Sequence, residues 1–130
     1  IMHRLTPCFA ALTEHLQRMR AARADAVAAK TSEATRDTEL QAFAEADRRF
    51  HEAIVAAAGN TLLLRTYRGL RDRQLCLMAA DLRMSTGRMD LSIREHEHLL
   101  RELTTGTRAG FVRLTRGHLQ GAAHRLRESR

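Results

Sequence analysis

Apolar residues in this chain recur at every third or fourth position along most of its length, and little interrupts them: a single proline, Pro7, and seven glycines in 130 residues. That spacing is the period of an α-helix with one buried face, and no stretch alternates with the period of two that a half-buried strand requires. β-branched runs are absent and aromatics are scarce, with four Phe, one Tyr and no Trp. A sandwich or barrel is therefore excluded, and the expected fold class is all-α, an antiparallel helical bundle of about five to six helices.

Thr6-Pro7 reads as an N-cap and first helical residue, and Phe9, Leu12, Leu16 and Met19 carry the first helix to about Arg23. Residues 24–37 lose the period and read as a loop. A second helix is expected from near Asp37 through Phe43, Phe50 and Ile54, ended by Gly59. A third runs from Leu62 to about Met84, with an apolar arc broad enough to be buried on more than one side. Ser85–Asp90 reads as the next loop, and Ser92 and Glu95 match a capping box for a fourth helix that stops at Gly106. The last helix follows from about Thr107.

Twenty-two basic against 15 acidic residues give a net charge of +7, but all the basic residues except Lys30 are arginines strewn along the chain rather than gathered in a block. With almost no stacking aromatics, this is read as a solvated surface rather than a nucleic-acid site. No segment approaches the ~20 apolar residues of a membrane span, and no signal peptide is present. Cys8 and Cys76 form no CxxC pair and are expected to be buried thiols in a reducing cytoplasm. The chain starts at Ile1 without an initiator methionine, so it is expected to be a piece of a longer protein.

Seven histidines are many for this length. His3, His15 and His124 read as surface residues. Asp47 and His51, at i and i+4, share one helical face with Phe43, Ile54 and Val55. A carboxylate directed into apolar surroundings needs a hydrogen-bond partner or a cation, and this pair alone leaves both readings open. His96 faces inward among Ile93, Leu99 and Leu100, whereas His98 lies about 200° further round the helix. His118, near Leu114 and Leu119, also faces inward. Three inward imidazoles and one carboxylate from three helices form the donor set of a metal site inside a bundle.

The stretch FAEADRRFHEAIVAAAGNTLL at 43–63 resembles the D-x-x-F-H-x-x-(L/I)…A-(A/S)-G-N segment of the FCD domain, the effector-sensing C-terminal domain of GntR-type bacterial transcription regulators of the FadR branch. EHEHLLREL at 95–103, with Gly106 after it, is similar to that domain's second block, and GHLQGA at 117–122 to its terminal H-L motif. The spacings of four residues from Asp47 to His51, 45 to His96 and 22 to His118 agree as well. The resemblance covers roughly residues 4–126. Thr107 stands where the family usually has Asp after the glycine, and residues 24–38 form a longer segment than usual.

The resemblance implies a single effector-binding and dimerisation domain over residues 1–130, with a divalent metal held by Asp47, His51, His96 and His118. Zinc is the first expectation; nickel, iron or manganese also suit such donors. The metal would leave a coordination position for a small organic acid, whose carboxylate would also meet an arginine, Arg71 or Arg73, with Tyr67 and Asn60 shaping the pocket. The expected role is regulatory rather than enzymatic, in the bacterial cytoplasm, as a homodimer without membrane contact. DNA is reached only through a winged helix-turn-helix outside these 130 residues, as is the domain's leading helix. The competing classes are a metal-dependent hydrolase on a helical bundle and a structural helical interaction module.

Overall fold

The computed structural model describes residues 2–28, 33–82 and 86–128. These residues form α1 (Met2–Ala28), α2 (Glu33–Ala57), α3 (Thr61–Gly69), α4 (Arg71–Leu82), α5 (Thr86–Thr105) and α6 (Arg108–Glu128), with no strand among them. The architecture is an all-α bundle. α1 packs along α2 and α5, α2 also meets α3 and α4, and α6 closes against α5 and α4.

Three stripes make the core. Cys8, Leu12, Leu16, Met19, Ala22 and Ala26 run down α1, Leu40, Phe43, Ala44, Ala46 and Phe50 down α2, and Met89, Ile93, Leu99 and Leu103 down α5. Each stripe keeps the three- and four-residue spacing of one helical face. Full burial of a side chain such as Phe50 or Leu12 contributes on the order of 1.5–3 kcal/mol, so this three-helix seam fixes where α2 and α5 face each other.

The structure corrects several boundaries. α1 starts before Pro7, which lies in its second turn, where a missing N–H removes only one helical bond. Residues 24–28 and 33–37 are helical rather than looped, because Ala22 and Ala26 continue the buried stripe and alanine favours helix. The expected third helix is two: Gly69 ends α3, and the Leu70 N–H turns back to the Tyr67 carbonyl at 3.1 Å before α4 begins. Nor is its apolar arc buried on more than one side. α3 buries no residue, and Leu62, Leu63, Leu70 and Leu77 are exposed. Residues 86–90 belong to α5, anchored by buried Met89, so Ser92 lies inside the helix and caps nothing. The expected end near Met84 falls outside the described residues. Cys76 is exposed, whereas Cys8 is buried.

Two junctions are set by local chemistry. Gly59, at φ 74°, takes the left-handed conformation that ends α2, and Asn60 caps α3 by accepting the Leu63 N–H at 3.0 Å. At the α5–α6 corner the Glu102 carboxylate accepts the Thr107 N–H at 3.0 Å, and Thr107 Oγ1 accepts the Gly110 N–H at 3.0 Å. A Cβ at Gly110 would lie 1.9 Å from Glu102 Oε1, so this glycine admits the capping carboxylate.

Candidate metal centre and adjoining cavity

α2, α5 and α6 each bring one imidazole to the same point. The His51 and His118 rings stack at 5.2 Å with 13° between their planes, and His96 meets both edge-on at 4.8 and 4.9 Å. Phe50 packs on His96 at 4.7 Å and seals the site from the core side. His96 has no exposed surface, and the side chain of His118 is 10% exposed. Asp47, one turn before His51, is also buried.

The Nδ1 atoms fix the tautomers. His51 Nδ1 lies 2.8 Å from the Asp47 carbonyl oxygen and His96 Nδ1 2.6 Å from that of Ser92, so each ring donates one turn back along its own helix. His118 Nδ1 lies 2.5 Å from Glu95 Oε2 and donates across from α6 to α5. With every Nδ1–H so engaged, each Nε2 carries a lone pair, and the Nε2 atoms face inward. His51 Nε2 and His118 Nε2 are 3.1 Å apart, and His96 Nε2 is 2.7 Å from Asp47 Oδ1. Acceptors this close need a positive charge between them.

The arrangement passes the test of fit for a divalent cation. One ligand atom from each of the three histidines can be chosen so that all lie within 4.8 Å of one another. An ion with ligands about 2.1 Å away holds neighbouring donors roughly 3–3.5 Å apart, close to the spacings above. The local field favours positive charge. Burial alone would raise the Asp47 pKa, but the contacts from His96 and His51 outweigh it and hold the carboxyl far below its ordinary range. Burial likewise pushes the His51 pKa down, and the bonds to Asp47 reverse this and raise it. Three imidazole nitrogens and a carboxylate oxygen suit zinc, nickel, iron or manganese.

Beside the imidazoles a half-open cavity of about 250 Å³ reaches outward between α4 and α6. Asp47, Arg48, His51 and His118 form its inner end, with Arg88 and Ser92 from α5 and Arg125 from α6. Tyr67, Gln74, Leu77 and Met78 line the α3–α4 side, and Leu119, Ala122 and Leu126 the α6 side. Arg48 is buried, and its guanidinium is held by Glu45 at 3.2 Å and by Glu52.

Of the residues named for an effector from sequence, Tyr67 lines this cavity and the others lie elsewhere. Arg71 is exposed and pairs with Glu45 at 3.2 Å and Asp72 at 3.1 Å. Arg73 is exposed and Asn60 serves as the α3 cap. His98 and His124 are exposed, and His15 is half-buried away from the site. Arg48, Gln74, Arg88 and Arg125 were not singled out in the sequence. Arg125 is seven residues after His118, hence on the same face of α6, and that spacing was the available signal.

The family model described as the FCD domain matches residues 2–121 of the chain. No curated protein and no solved structure matches it.

Proposed function

The chain belongs to the FCD domain family, the effector-sensing domain of GntR-type regulators, and from that premise we propose that it senses a small organic acid through a bound divalent metal. Asp47, His51, His96 and His118 would hold the ion, zinc first among the metals that suit them. When bound, it would supply positive charge and a coordination position for a carboxylate oxygen. The observation that carries this reading is the convergence of three Nε2 lone pairs whose Nδ1–H groups are all engaged elsewhere.

The chain's own side chains do the rest. Arg48, Arg88 and Arg125 make the cavity electropositive and favour an anion, and Arg125 offers the planar fork suited to a carboxylate. A ligand seated there touches α2, α4 and α6 together, so it favours the arrangement in which these helices stand at the right separation. Such a bias, transmitted through a homodimer, is what a DNA-binding domain elsewhere in the parent regulator would read. The exposed Leu62, Leu63 and Leu70 supply apolar surface for a second copy, and sedimentation at micromolar concentration should show a species of twice 14.7 kDa. No described helix is long and apolar enough to cross a membrane.

Elemental analysis of protein purified without chelator tests the metal site. About one equivalent of a divalent metal is expected, and none in a His96→Ala/His118→Ala variant. Equal metal content in both would overturn the assignment. Acid-induced thermal stabilisation that disappears with chelator would support the sensing role.

A further inference from the structure

Gln74, Leu77 and Met78 present one face of α4 to the cavity, and Gln74 is its polar member. The Gln74 Oε1 atom is buried and accepts no hydrogen bond. Its side chain hydrogen-bonds Tyr67 instead: burial pushes the phenol pKa up, and this bond partly offsets the rise. A buried amide oxygen without a donor is uncommon in a folded protein and costs stability, so its presence in a cavity wall calls for a donor from outside the chain.

The cavity's other acceptors are committed. Asp47 Oδ1 and the imidazole Nε2 atoms face one another across the metal centre, and Glu45 and Glu52 are taken up by arginines. We propose that the effector is a small hydroxy acid and that Gln74 determines this specificity. This rests on the metal-and-acid reading given above. The carboxylate occupies the inner end beside Asp47, His51 and His118, and the hydroxyl donates its proton to Gln74 Oε1. A cavity of about 250 Å³ holds roughly eight water volumes, which suits an acid of a few carbons. An unsubstituted acid leaves Oε1 without a donor. A keto acid sets one acceptor oxygen against another, so it is rejected more strongly.

The test uses the zinc-loaded 130-residue chain and four matched probes: 2-hydroxybutanoate, 3-hydroxybutanoate, 2-oxobutanoate and butanoate. Affinities come from titration calorimetry or melting shifts. One of the two hydroxy acids is expected to bind at least tenfold more tightly than butanoate and 2-oxobutanoate. In Gln74→Met, which keeps the volume and removes the acceptor, that preference should collapse to within about twofold, and likewise in Gln74→Asn, which withdraws it. Acids that bind without preference to the wild type, or a preference that survives in both variants, would overturn the role of Gln74 while leaving the acid-sensing reading intact. Failure of all four acids to bind would overturn both. The wild-type comparison needs no variant, and melting of each variant without ligand separates misfolding from lost recognition.

Discussion

Asp47 Oδ1 lies 2.7 Å from His96 Nε2, a contact that spans 49 residues of sequence and joins α2 to α5 at the buried centre of the bundle. Both side chains are almost fully removed from solvent, so the contact is structural as well as chemical. His96→Ala in chelator-treated protein removes the partner of a buried carboxylate and should cost about 3 kcal/mol or more. His118, at the cavity edge, makes no such contact with Asp47, and His118→Ala should cost less. Urea unfolding of the two metal-free variants checks the order; equal losses would contradict it.

Glu95 holds His118 across the α5–α6 interface through the 2.5 Å contact to Nδ1. A carboxylate behind a ligating imidazole fixes its ring and raises its basicity. Glu95→Ala should weaken metal binding by about 10- to 100-fold with little change in fold, and Glu95→Gln should retain most of the affinity. A competitive chelator titration reads both variants against the wild type.

Acid should loosen the α2–α4 face. Burial pushes the carboxyls of Glu45 and Glu52 up, but Arg48, with Arg71 and Arg49 for Glu45 and Arg68 for Glu52, holds both below the ordinary value of 4.5. A folded pKa below the unfolded one gives stabilisation that is present above the ordinary value and lost as pH falls through the folded one. The melting-temperature gap between wild type and a Glu45→Gln/Glu52→Gln variant should therefore be widest near pH 7 and shrink steadily below about pH 4.5.

The α6 cap is a third point of attack. Thr107→Ala leaves the Gly110 N–H without its acceptor and should cost about 1 kcal/mol in thermal or urea unfolding. Thr107→Ser, which keeps the hydroxyl, should lie within a few tenths of the wild type.

The stripes of α1, α2 and α5 were legible because their apolar residues obey one period, and the same period set Asp47, His51 and His96 on inward faces. Other features were hidden for physical reasons. A one-residue break at Leu70 leaves the apolar spacing almost unchanged, so α3 and α4 read as one helix. Arg48 sits in DRRFHE, where a charge three residues after Glu45 and four before Glu52 looks like an exposed pair; here it is buried. Gln74 carries no sequence signal, because what distinguishes it is a missing hydrogen bond.

α3 contributes no buried residue, and its attachments include the Asn60 cap and the Arg68–Glu52 ion pair on an exposed surface. Unravelling it would bring little new apolar surface into water, so its amide hydrogens should exchange at small opening free energies while those of α1, α2 and α5 wait for global unfolding. Because Tyr67 on this same segment forms part of the cavity wall, the cheapest local excursion of the chain is also the one that uncovers the cavity. A ligand can then enter and leave on the timescale of one short helix fraying, with the core seam intact throughout.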